Sequence, residues 1–334
     1  MKIAIHPRFN SFSDRWIAYC VNKKIDYKLV NCYASDIISQ LEDCDALMWH
    51  HNHADYKDVL FAKQLLYAVA QRGKKTFPNF NTCWHFDDKV GQKYLFESIN
   101  APLVSSYIFY TKEEAYHWIE NTNFPKVFKL RAGAGSQNVK LVSSSRQAKK
   151  LVKQAFGGGF TQFDRFGNLK ERIRKYKEGK NPLMGVFKGI GRLFIPTEFA
   201  KMHCNEKGYI YFQDFIPNNL YDIRVVIISG KAFAAKRMVR KNDFRASGSG
   251  NTIYEKEQIP IEIIKIAFQL TDKIEAQCAA FDFIYDVNGN PMIVELSYGY
   301  AVSGPDQCEG YWDKMLNFHE GAFIPQNWMV ESLL

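Results

Sequence analysis

A lysine followed by a loop of small residues is the first feature of the chain that suggests chemistry. Residues 125–142 read PKVFKLRAGAGSQNVKLV, and Lys129 ends the first apolar run. Small loop residues let backbone amides approach phosphate oxygens, and the lysine would face the same anion. The order differs from a Walker loop, where the lysine follows the glycines and opens a helix. A glycine hairpin with a lysine extending to solvent explains the same residues, so both readings stay open.

Two acids form a second candidate site. Asp282 and Glu295 lie on opposite sides of the tight-turn dipeptide Asn288-Gly289, within AAFDFIYDVNGNPMIVELS. This pattern predicts a hairpin in which alternation brings the two carboxylates to one face. Facing carboxylates repel unless a cation lies between them, and their hard oxygens suit magnesium shared with phosphates. Two solvent-facing acids are the alternative, which the apolar neighbours on both strands make less attractive.

A third candidate is a set of basic residues in YDIRVVIISGKAFAAKRMVRKNDFRASGSG. Arg224 lies inside one predicted strand, and Lys236, Arg237, Arg240 and Arg245 fall in the next strand and the loop beyond it. Arginines bind phosphate and carboxylate through a bidentate fork. A basic strand edge that discourages aggregation explains the same pattern.

The elements that must position these residues alternate between strands and helices. MKIAI, DYKLV, DALMW and TFPNF read as strands separated by helical spacing, which predicts a parallel-sheet α/β domain over residues 1–95. A small α/β unit follows at 96–156, then a basic, aromatic and Gly-punctuated insertion at 157–208. Strands return from 209 to 334, where we expect a C-terminal unit that carries the acidic hairpin.

Composition narrows the classes of partner and compartment. The chain has 334 residues and a net charge of +9, which suits an anionic partner such as a nucleotide, acidic sugar, membrane surface or nucleic acid. A solubilising surface explains the charge equally well. Seven scattered cysteines without a CxxC pair favour reduced thiols and a cytoplasmic location. No apolar run is long enough to cross a bilayer, and MKIAIHPRFN does not resemble a signal peptide.

Taken together, these motifs resemble the ATP-grasp superfamily of carboxylate–amine ligases, most closely the branch that includes the ribosomal-protein glutamate ligase. The resemblance runs from about Asp87 to Ser303, and the N-terminal unit looks like the domain that precedes such cores. Each motif alone is weak, but their joint order is specific. The segments that carry it are DDKVGQKYLFESINAPLV, FPKVFKLRAGAGSQNVKLV, YFQDFI, DIRVVII, NDFRASGSG and AAFDFIYDVNGNPMIVELS.

The resemblance implies a fold of α/β (α+β) type, with two ATP-grasp subdomains that hold a nucleotide between them. It implies ATP and magnesium, or alternatively manganese, as cofactors. The implied ATP-binding residues are Lys89, Lys129, Gly133, Gly135, Ser136, Gln137, Gln213, Asp214, Phe215, Ile216, Asp222 and Arg224. The implied metal ligands are Asp282, Glu295 and Ser297, and the implied catalytic residues are Arg237 and Arg245.

The implied reaction is ATP-dependent formation of an amide between an amine and the carboxylate of an amino acid or acidic sugar, through an acyl-phosphate. Two departures bear on it: Ser297 stands where the family usually has an asparagine two residues after the metal glutamate, and Ser247 replaces the asparagine after Asp-Phe-Arg. Serine is a shorter and weaker oxygen ligand than an amide carbonyl. A catalytically inactive nucleotide-binding or scaffold protein of the same fold is therefore the alternative function.

The substrates are less well defined by the sequence. MWHHNH ends a strand of the N-terminal sheet, where ligands collect outside the carboxyl ends, so we expect Arg15, His51, Asn52 and His53 to contact a carboxylate or a sugar. Structural packing of these polar residues is the alternative, and zinc lacks a fourth ligand at suitable spacing.

The insertion suggests further partners. Its KERIRKYKEGK and FKGIGRLF segments combine cations with apolar residues, as in helices that lie on anionic membranes. A solvated excursion or a homodimer contact explains the insertion equally well. Similar proteins with such an insertion are associated with cell-surface polysaccharide formation, which suggests a small-molecule or glycan-precursor substrate. No specific nucleic-acid partner is expected, because the chain lacks an RNA motif and a concentrated arginine tract.

Overall fold

The protein is described from a computed structural model. It describes residues 1–133, 138–162, 165–177, 179, 182–195, 201–202, 204–240, 243–246 and 248–334.

The N-terminal part is a parallel four-stranded sheet in the order β2-β1-β3-β4. Its strands are β1 (Lys2–Ile5), β2 (Asp26–Leu29), β3 (Ala46–Met48) and β4 (Lys75–Phe77). Its helices are α1 (Phe12–Lys23), α2 (Ile37–Gln40), α3 (Tyr56–Gln71) and α4 (Phe80–Cys83). The central strands β1 and β3 are almost wholly buried, as parallel strands covered on both faces require. The predicted alternation of strands and helices is confirmed here.

A second, antiparallel sheet has four strands in the order β5-β8-β6-β7. They are β5 (Ser106–Phe109), β6 (Lys126–Lys129), β7 (Lys140–Val142) and β8 (Ile210–Asp214). The helix α5 (Lys89–Ser98) precedes this sheet, and α6 (Lys112–Asn121) and α7 (Ser145–Ala155) pack against it. Because β6 pairs with both β7 and β8, the strand ending in Lys129 is central and rigid.

The largest sheet has seven strands, in the order β13-β12-β9-β10-β14-β15 with β11 paired to β10. They are β9 (Tyr221–Ile228), β10 (Lys231–Met238), β11 (Thr252–Ile253), β12 (Cys278–Tyr285), β13 (Pro291–Ser297), β14 (Gly310–Asp313) and β15 (Phe318–Glu320). The helix α10 (Ile261–Lys273) covers one face with Ile263, Ile264 and Ala267. Gly289 adopts φ = 82° in the β12–β13 turn, so the predicted hairpin is present.

The other face of the large sheet joins the N-terminal sheet in a single core. Val226, Phe233 and Ala280 cluster there with Trp16 and Met48. The C-terminal helix α11 (Pro325–Glu331) completes this core and packs on α1. Residues 1–95, predicted as a separate domain, therefore share their hydrophobic core with the C-terminal unit.

The predicted insertion contains a pair of helices, α8 (Arg165–Lys177) and α9 (Leu183–Phe194), that contact each other. Gly189 allows the close approach, because a Cβ there would lie 2.8 Å from the Arg172 side chain. No helix in the described part of the chain is long and apolar enough to span a membrane.

Candidate active site

A cleft of about 930 Å³ opens between the β5–β8 sheet and the large sheet. Most of the predicted nucleotide and metal residues line it, although they come from distant parts of the chain. These residues are Lys89, Lys129, Gly133, Gln213, Asp214, Phe215, Ile216, Asp222, Arg245, Asp282 and Glu295. We call this space the interdomain cleft.

The two acids of the hairpin face each other across its strands. Asp282 pairs directly with Glu295 in the β12–β13 register, and a bulge follows before Phe283 pairs with Ile293. The bulge leaves Val294 as the extra residue, and its carbonyl oxygen accepts a hydrogen bond of 3.3 Å from Lys129. The hairpin thus brings both carboxylates and the lysine of the other sheet to one end of the cleft.

Asp282 belongs to a buried network that we call the arginine–aspartate cluster, formed by Asp222, Arg224, Arg237 and Asp282. Arg224 donates from Nε and Nη2 to the two Asp282 oxygens at 2.7 and 2.8 Å. Arg237 donates in the same way to Asp222 at 2.7 and 2.6 Å, and its Nη2 lies 2.9 Å from Asp282 Oδ2. The four charges cancel, which makes their burial tolerable.

The cluster also influences the protonation of its two aspartates. Burial alone would raise the pKa of Asp282, but the Arg224 and Arg237 guanidinium groups outweigh it and hold that pKa below its usual range. Burial raises the pKa of Asp222, against the opposing effect of Arg237. Asp282 is therefore a carboxylate at neutral pH.

Lys129 is buried in a largely neutral environment. Its Nζ donates to Gln213 Oε1 at 2.6 Å, and Gln213 in turn donates to Ser106 Oγ at 3.1 Å. Burial lowers the pKa of Lys129 to about 8, because it disfavours the ammonium form. None of the described acids forms an ion pair with Lys129, so this buried cation is placed to gain an anionic partner.

Lys89 lies beside Lys129 but has acidic neighbours. Its Nζ is 3.1 Å from Glu295 Oε1 and donates to the Gly133 carbonyl at 2.9 Å. Burial works against its charge, but Glu295 and Asp87 together raise the pKa of Lys89. Asp87 also accepts a hydrogen bond from the Gly133 amide at 2.8 Å, which anchors the start of the small-residue loop.

The far end of the cleft is apolar and was only partly predicted. Phe215 and Ile216, two of the implied ATP-binding residues, lie there, and Phe215 meets Phe244 edge-on at 5.8 Å. The carboxylate of Asp214, another implied ATP-binding residue, pairs with Lys126 at 2.6 Å. The lining residues that sequence reasoning missed are Val127, Val139, Asn218, Asn219, Tyr221, Val239, Phe244, Ala246, Ile284 and Val294. The sequence feature that could have identified them is their position next to the quoted motifs, at strand ends or inside NDFRASGSG.

Glu295 suits a divalent cation shared with phosphate oxygens, as magnesium usually is. Asp282 would have to exchange an arginine contact for the cation, because both of its oxygens accept hydrogen bonds from Arg224 and one also contacts Arg237. Glu295 uses Oε1 for Lys89, and its Oε2 has no partner within the described residues. Ser297, predicted as a third ligand, donates its hydroxyl to the Gly299 carbonyl and accepts from the Gly299 amide, both at 3.0 Å. We therefore reduce the proposed ligand set to Asp282 and Glu295.

A second cavity of about 750 Å³ lies on the same face of the large sheet, on the other side of the arginine–aspartate cluster. We call it the arginine–aromatic cavity. Its lining includes Arg224, Val226, Phe233, Ala235, Arg237, Gly248, Thr252, Tyr254, Tyr300, Ala301, Gly304, Pro305 and Cys308. Arg224 was predicted as a nucleotide contact, but it lines this second cavity and reaches the interdomain cleft only through Asp282.

The residues predicted to contact substrate do not converge. Arg15 forms a bidentate pair with Asp306 at 2.7 and 2.6 Å, because the C-terminal segment packs over α1. His51 is buried against Phe86 and Tyr298, and Asn52 accepts a hydrogen bond from the Ala54 amide at 2.7 Å. None of these three lines either cavity, so they do not form the expected substrate site.

His53 is the exception among that set. It is partly exposed and packs on Phe86. Burial lowers the pKa of His53, and Asp87, Lys89 and Glu295 are close enough to influence it. It therefore lies near the charged end of the interdomain cleft.

Four further predicted residues cannot be placed. Gly135, Ser136 and Gln137 of the small-residue loop, and Ser247, lie outside the described residues. Arg245 does line the cleft, where its guanidinium group forms a bidentate pair with Asp243.

Comparison with known proteins gives one family match and several structural neighbours. Residues 199–307 match the family model of the RimK-like ATP-grasp domain. No curated protein matches the chain.

Among solved structures, an ATP-grasp RimK-domain protein from Sphaerobacter thermophilus aligns with a TM-score of 0.57 at 13% identity, covering 100% of this chain and 99% of that one. The D-alanine–D-alanine ligase of Bacillus anthracis with ATP aligns with a TM-score of 0.54 at 14% identity, over 90% and 87% of the two chains. The N5-carboxyaminoimidazole synthetase of Staphylococcus aureus gives 0.58 at 11% identity, over 99% and 76%. At these identities the likeness to solved structures shows the fold alone, and the family match shows that residues 199–307 are similar to the RimK-like ATP-grasp domain.

Proposed function

We propose that the protein is an ATP-dependent carboxylate–amine ligase that works through an acyl-phosphate. The observation that carries the proposal is the arginine–aspartate cluster, which separates two cavities and contributes lining residues to both. A reaction that joins a nucleotide to a second substrate needs two such spaces at one charged centre.

The interdomain cleft suits a nucleoside triphosphate. Lys89 and Lys129 supply positive charge at the end where Asp282 and Glu295 lie, and the apolar end with Phe215 offers a surface for a purine ring. Gly133 starts the small-residue loop beside Lys89, so backbone amides are available to phosphate oxygens.

The proposed chemistry balances in two steps. A carboxylate oxygen of the substrate bonds to the γ-phosphorus while the bond from that phosphorus to the bridging oxygen breaks, and ADP leaves. The amine nitrogen then bonds to the acyl carbon, the carbon–oxygen bond to phosphate breaks, and the amine loses a proton. No covalent bond to the protein forms, so catalysis rests on position and charge.

The residues have separate roles in this scheme. Arg237, which bridges Asp222 and Asp282 beside the arginine–aromatic cavity, is the candidate for neutralising the acyl-phosphate. Arg245 also lines the cleft and is the second candidate for neutralising phosphate charge. Asp282 and Glu295 would hold magnesium or manganese, which supplies charge neutralisation on the phosphates.

An inactive nucleotide-binding protein is the second candidate. Two observations favour it: Asp282 is fully occupied by arginines, and Ser297 is held in a local turn with Gly299. Such a protein would bind ADP or ATP in the cleft without turning it over.

A phosphate-release screen separates these candidates. Magnesium-ATP is offered with crossed panels of carboxylates and amines, using the wild type and Glu295→Gln. The ligase predicts phosphate and ADP for at least one carboxylate with the wild type alone. Binding of ADP with no release for any pair supports the inactive protein. Release of AMP and pyrophosphate contradicts the acyl-phosphate route.

We also propose a cellular location and interaction surfaces for the protein. All seven cysteines are free, which supports a cytoplasmic location. We propose that α8 and α9 contact an anionic membrane surface, since α9 exposes Leu183, Met184 and Phe187 on a basic element. A role in cell-surface polysaccharide modification and a homodimer remain proposals that depend on this insertion.

Vesicle sedimentation tests the membrane contact. The wild type should pellet with vesicles of 3:1 phosphatidylcholine and phosphatidylserine but not with phosphatidylcholine alone. Phe187→Asp should abolish this pelleting, because it places a charge on the apolar face. Equal recovery with both vesicle types would contradict an electrostatic contribution.

A further inference from the structure

The arginine–aromatic cavity has a chemical character that narrows the carboxylate substrate, if the proposed ligase function holds. One end carries two guanidinium groups, and the remaining walls are mainly aromatic or apolar. Together these two features select for a particular class of acid.

The cationic end retains unused hydrogen-bond donors. Arg224 engages Asp282 through Nε and Nη2, and Arg237 engages Asp222 and Asp282 through Nε and Nη2. Nη1 of each arginine has no partner within the described residues, and both residues line the cavity. Two neighbouring guanidinium ends of this kind suit one carboxylate. Only the ion pairs between the two arginines and Asp282 would separate a carboxylate bound there from the phosphate end of the cleft.

The body of the cavity suits an apolar group of aromatic size. Phe233 is buried and meets Tyr300 edge-on at 5.4 Å, while Val226 and Pro305 supply aliphatic surface. Sugars require a dense set of hydrogen-bonding side chains, and few are present among the described lining residues. The wall therefore favours an aromatic body over a polyhydroxylated one.

The cavity also has no counter-ion for an ammonium group. None of the described lining residues is acidic. The acid of the adjoining turn, Asp306, is held by both Nη atoms of Arg15. An α-amino acid would bring its cationic amine into a pocket that already holds two arginines, and the unpaired charge would oppose binding.

We infer that the carboxylate substrate is an aromatic carboxylic acid without an adjacent ammonium group. This departs from the sequence-based expectation of an amino acid or acidic sugar as the carboxylate. A sugar could then enter the reaction only as the amine partner.

Binding of four probes to the full-length protein tests this inference without requiring turnover. Phenylacetate, 4-hydroxyphenylacetate, L-phenylalanine and glucuronate are titrated by calorimetry in the presence of magnesium and ADP. The two arylacetates should bind at least about tenfold more tightly than the other two, because an unpaired charge or unmatched hydroxyls oppose their entry. Equal or tighter binding of phenylalanine or glucuronate, or no arylacetate binding at millimolar concentration, would overturn the inference.

Two variants place the binding in this cavity. Ala301→Trp adds bulk at an exposed lining position and should weaken 4-hydroxyphenylacetate at least about tenfold, whereas the matched surface variant Ala68→Trp should not. Unchanged affinity in Ala301→Trp would place the ligand elsewhere and contradict the inference.

The aromatic-acid inference and the proposed ligase function can fail independently of each other. Phosphate release that depends on uronic or amino acids alone would refute the aromatic acid while leaving the ligase intact. Arylacetate binding without phosphate release under any amine would leave the cavity assignment intact and refute the ligase.

Discussion

The two cavities that meet at the arginine–aspartate cluster differ in how their charge is arranged. The interdomain cleft holds both cations and acids: Lys129 has no acid partner among the residues that the structure describes, while Lys89 contacts Glu295 at 3.1 Å. In the arginine–aromatic cavity, the exposed charge is wholly cationic, because Asp222 and Asp282 are covered by the arginines that line it.

This difference shows how one set of strands can serve two substrates. A space that must hold both polyphosphate and a divalent cation needs donors and acceptors together. A space that must hold a carboxylate needs donors alone. Alternation along β9, β10 and β12 places Arg224, Arg237 and Asp282 on one face, so the same ion pairs satisfy both requirements.

The largest effect on activity is expected from a variant that removes an acid from the interdomain cleft. Glu295→Gln should lower phosphate release at least about 100-fold, because it removes a carboxylate charge at the phosphate end. Its side chain is 35% exposed, so folding should be retained. ADP binding in EDTA should change less than about threefold, and Glu97→Gln serves as the surface control. Full activity in Glu295→Gln would remove this residue from the mechanism.

The cationic side is tested by Lys129→Met. Replacing the buried ammonium should weaken ADP binding by about 10- to 100-fold, the range for a charged hydrogen bond to phosphate. Lys140→Met, at an exposed position of β7, should leave affinity unchanged. Calorimetry in EDTA measures both variants without a contribution from metal. Wild-type affinity in Lys129→Met would mean that the buried lysine is structural.

The pH dependence of ADP binding sharpens the same point. The pKa of Lys129 is lowered to about 8, and a phosphate partner would raise it, so the charged form binds more tightly. The charged form predominates at pH 7 and is lost as pH rises through 8. Affinity should therefore be about tenfold weaker at pH 9 than at pH 7. Lys129→Arg should flatten this dependence, and a slope that persists in that variant would assign it to another group.

The smallest effect concerns a residue outside both cavities. Arg15→Ala removes the pair with Asp306, whose side chains are 23% and 43% exposed, and should cost about 1 kcal/mol or less of unfolding free energy. Denaturant titration measures that cost, and nucleotide binding should stay at the wild-type level. A selective loss of binding in a stably folded Arg15→Ala would restore the substrate role predicted from sequence.

Local motifs allowed much of this architecture to be predicted. Lys129 and the Asp282–Glu295 hairpin lie within short strand-and-turn patterns, so sequence spacing alone indicated which side chains share a face. The fold class followed from the alternation of elements and from the resemblance. These features depend on contacts between residues near each other in the chain.

Features that depend on distant contacts were not predictable. His51 ends a parallel strand as expected, but Tyr298 covers it and donates to its carbonyl oxygen. Arg15 meets Asp306 from 291 positions away, in a C-terminal segment whose strand alternation was not recognised. The alternation of side chains along β9 indicated which face of the sheet carries Arg224. It did not indicate that Asp282 would be the bidentate partner of Arg224.

Oxygen transfer tests the central claim most directly. A carboxylate found active in the phosphate-release screen is labelled with ¹⁸O in both oxygens, and the released phosphate is analysed by mass spectrometry. The account predicts one ¹⁸O atom in each phosphate released with amide formation, because the carboxylate oxygen attacks the γ-phosphorus. Unlabelled phosphate would show that water is the attacking group and would contradict an acyl-phosphate formed between the two cavities.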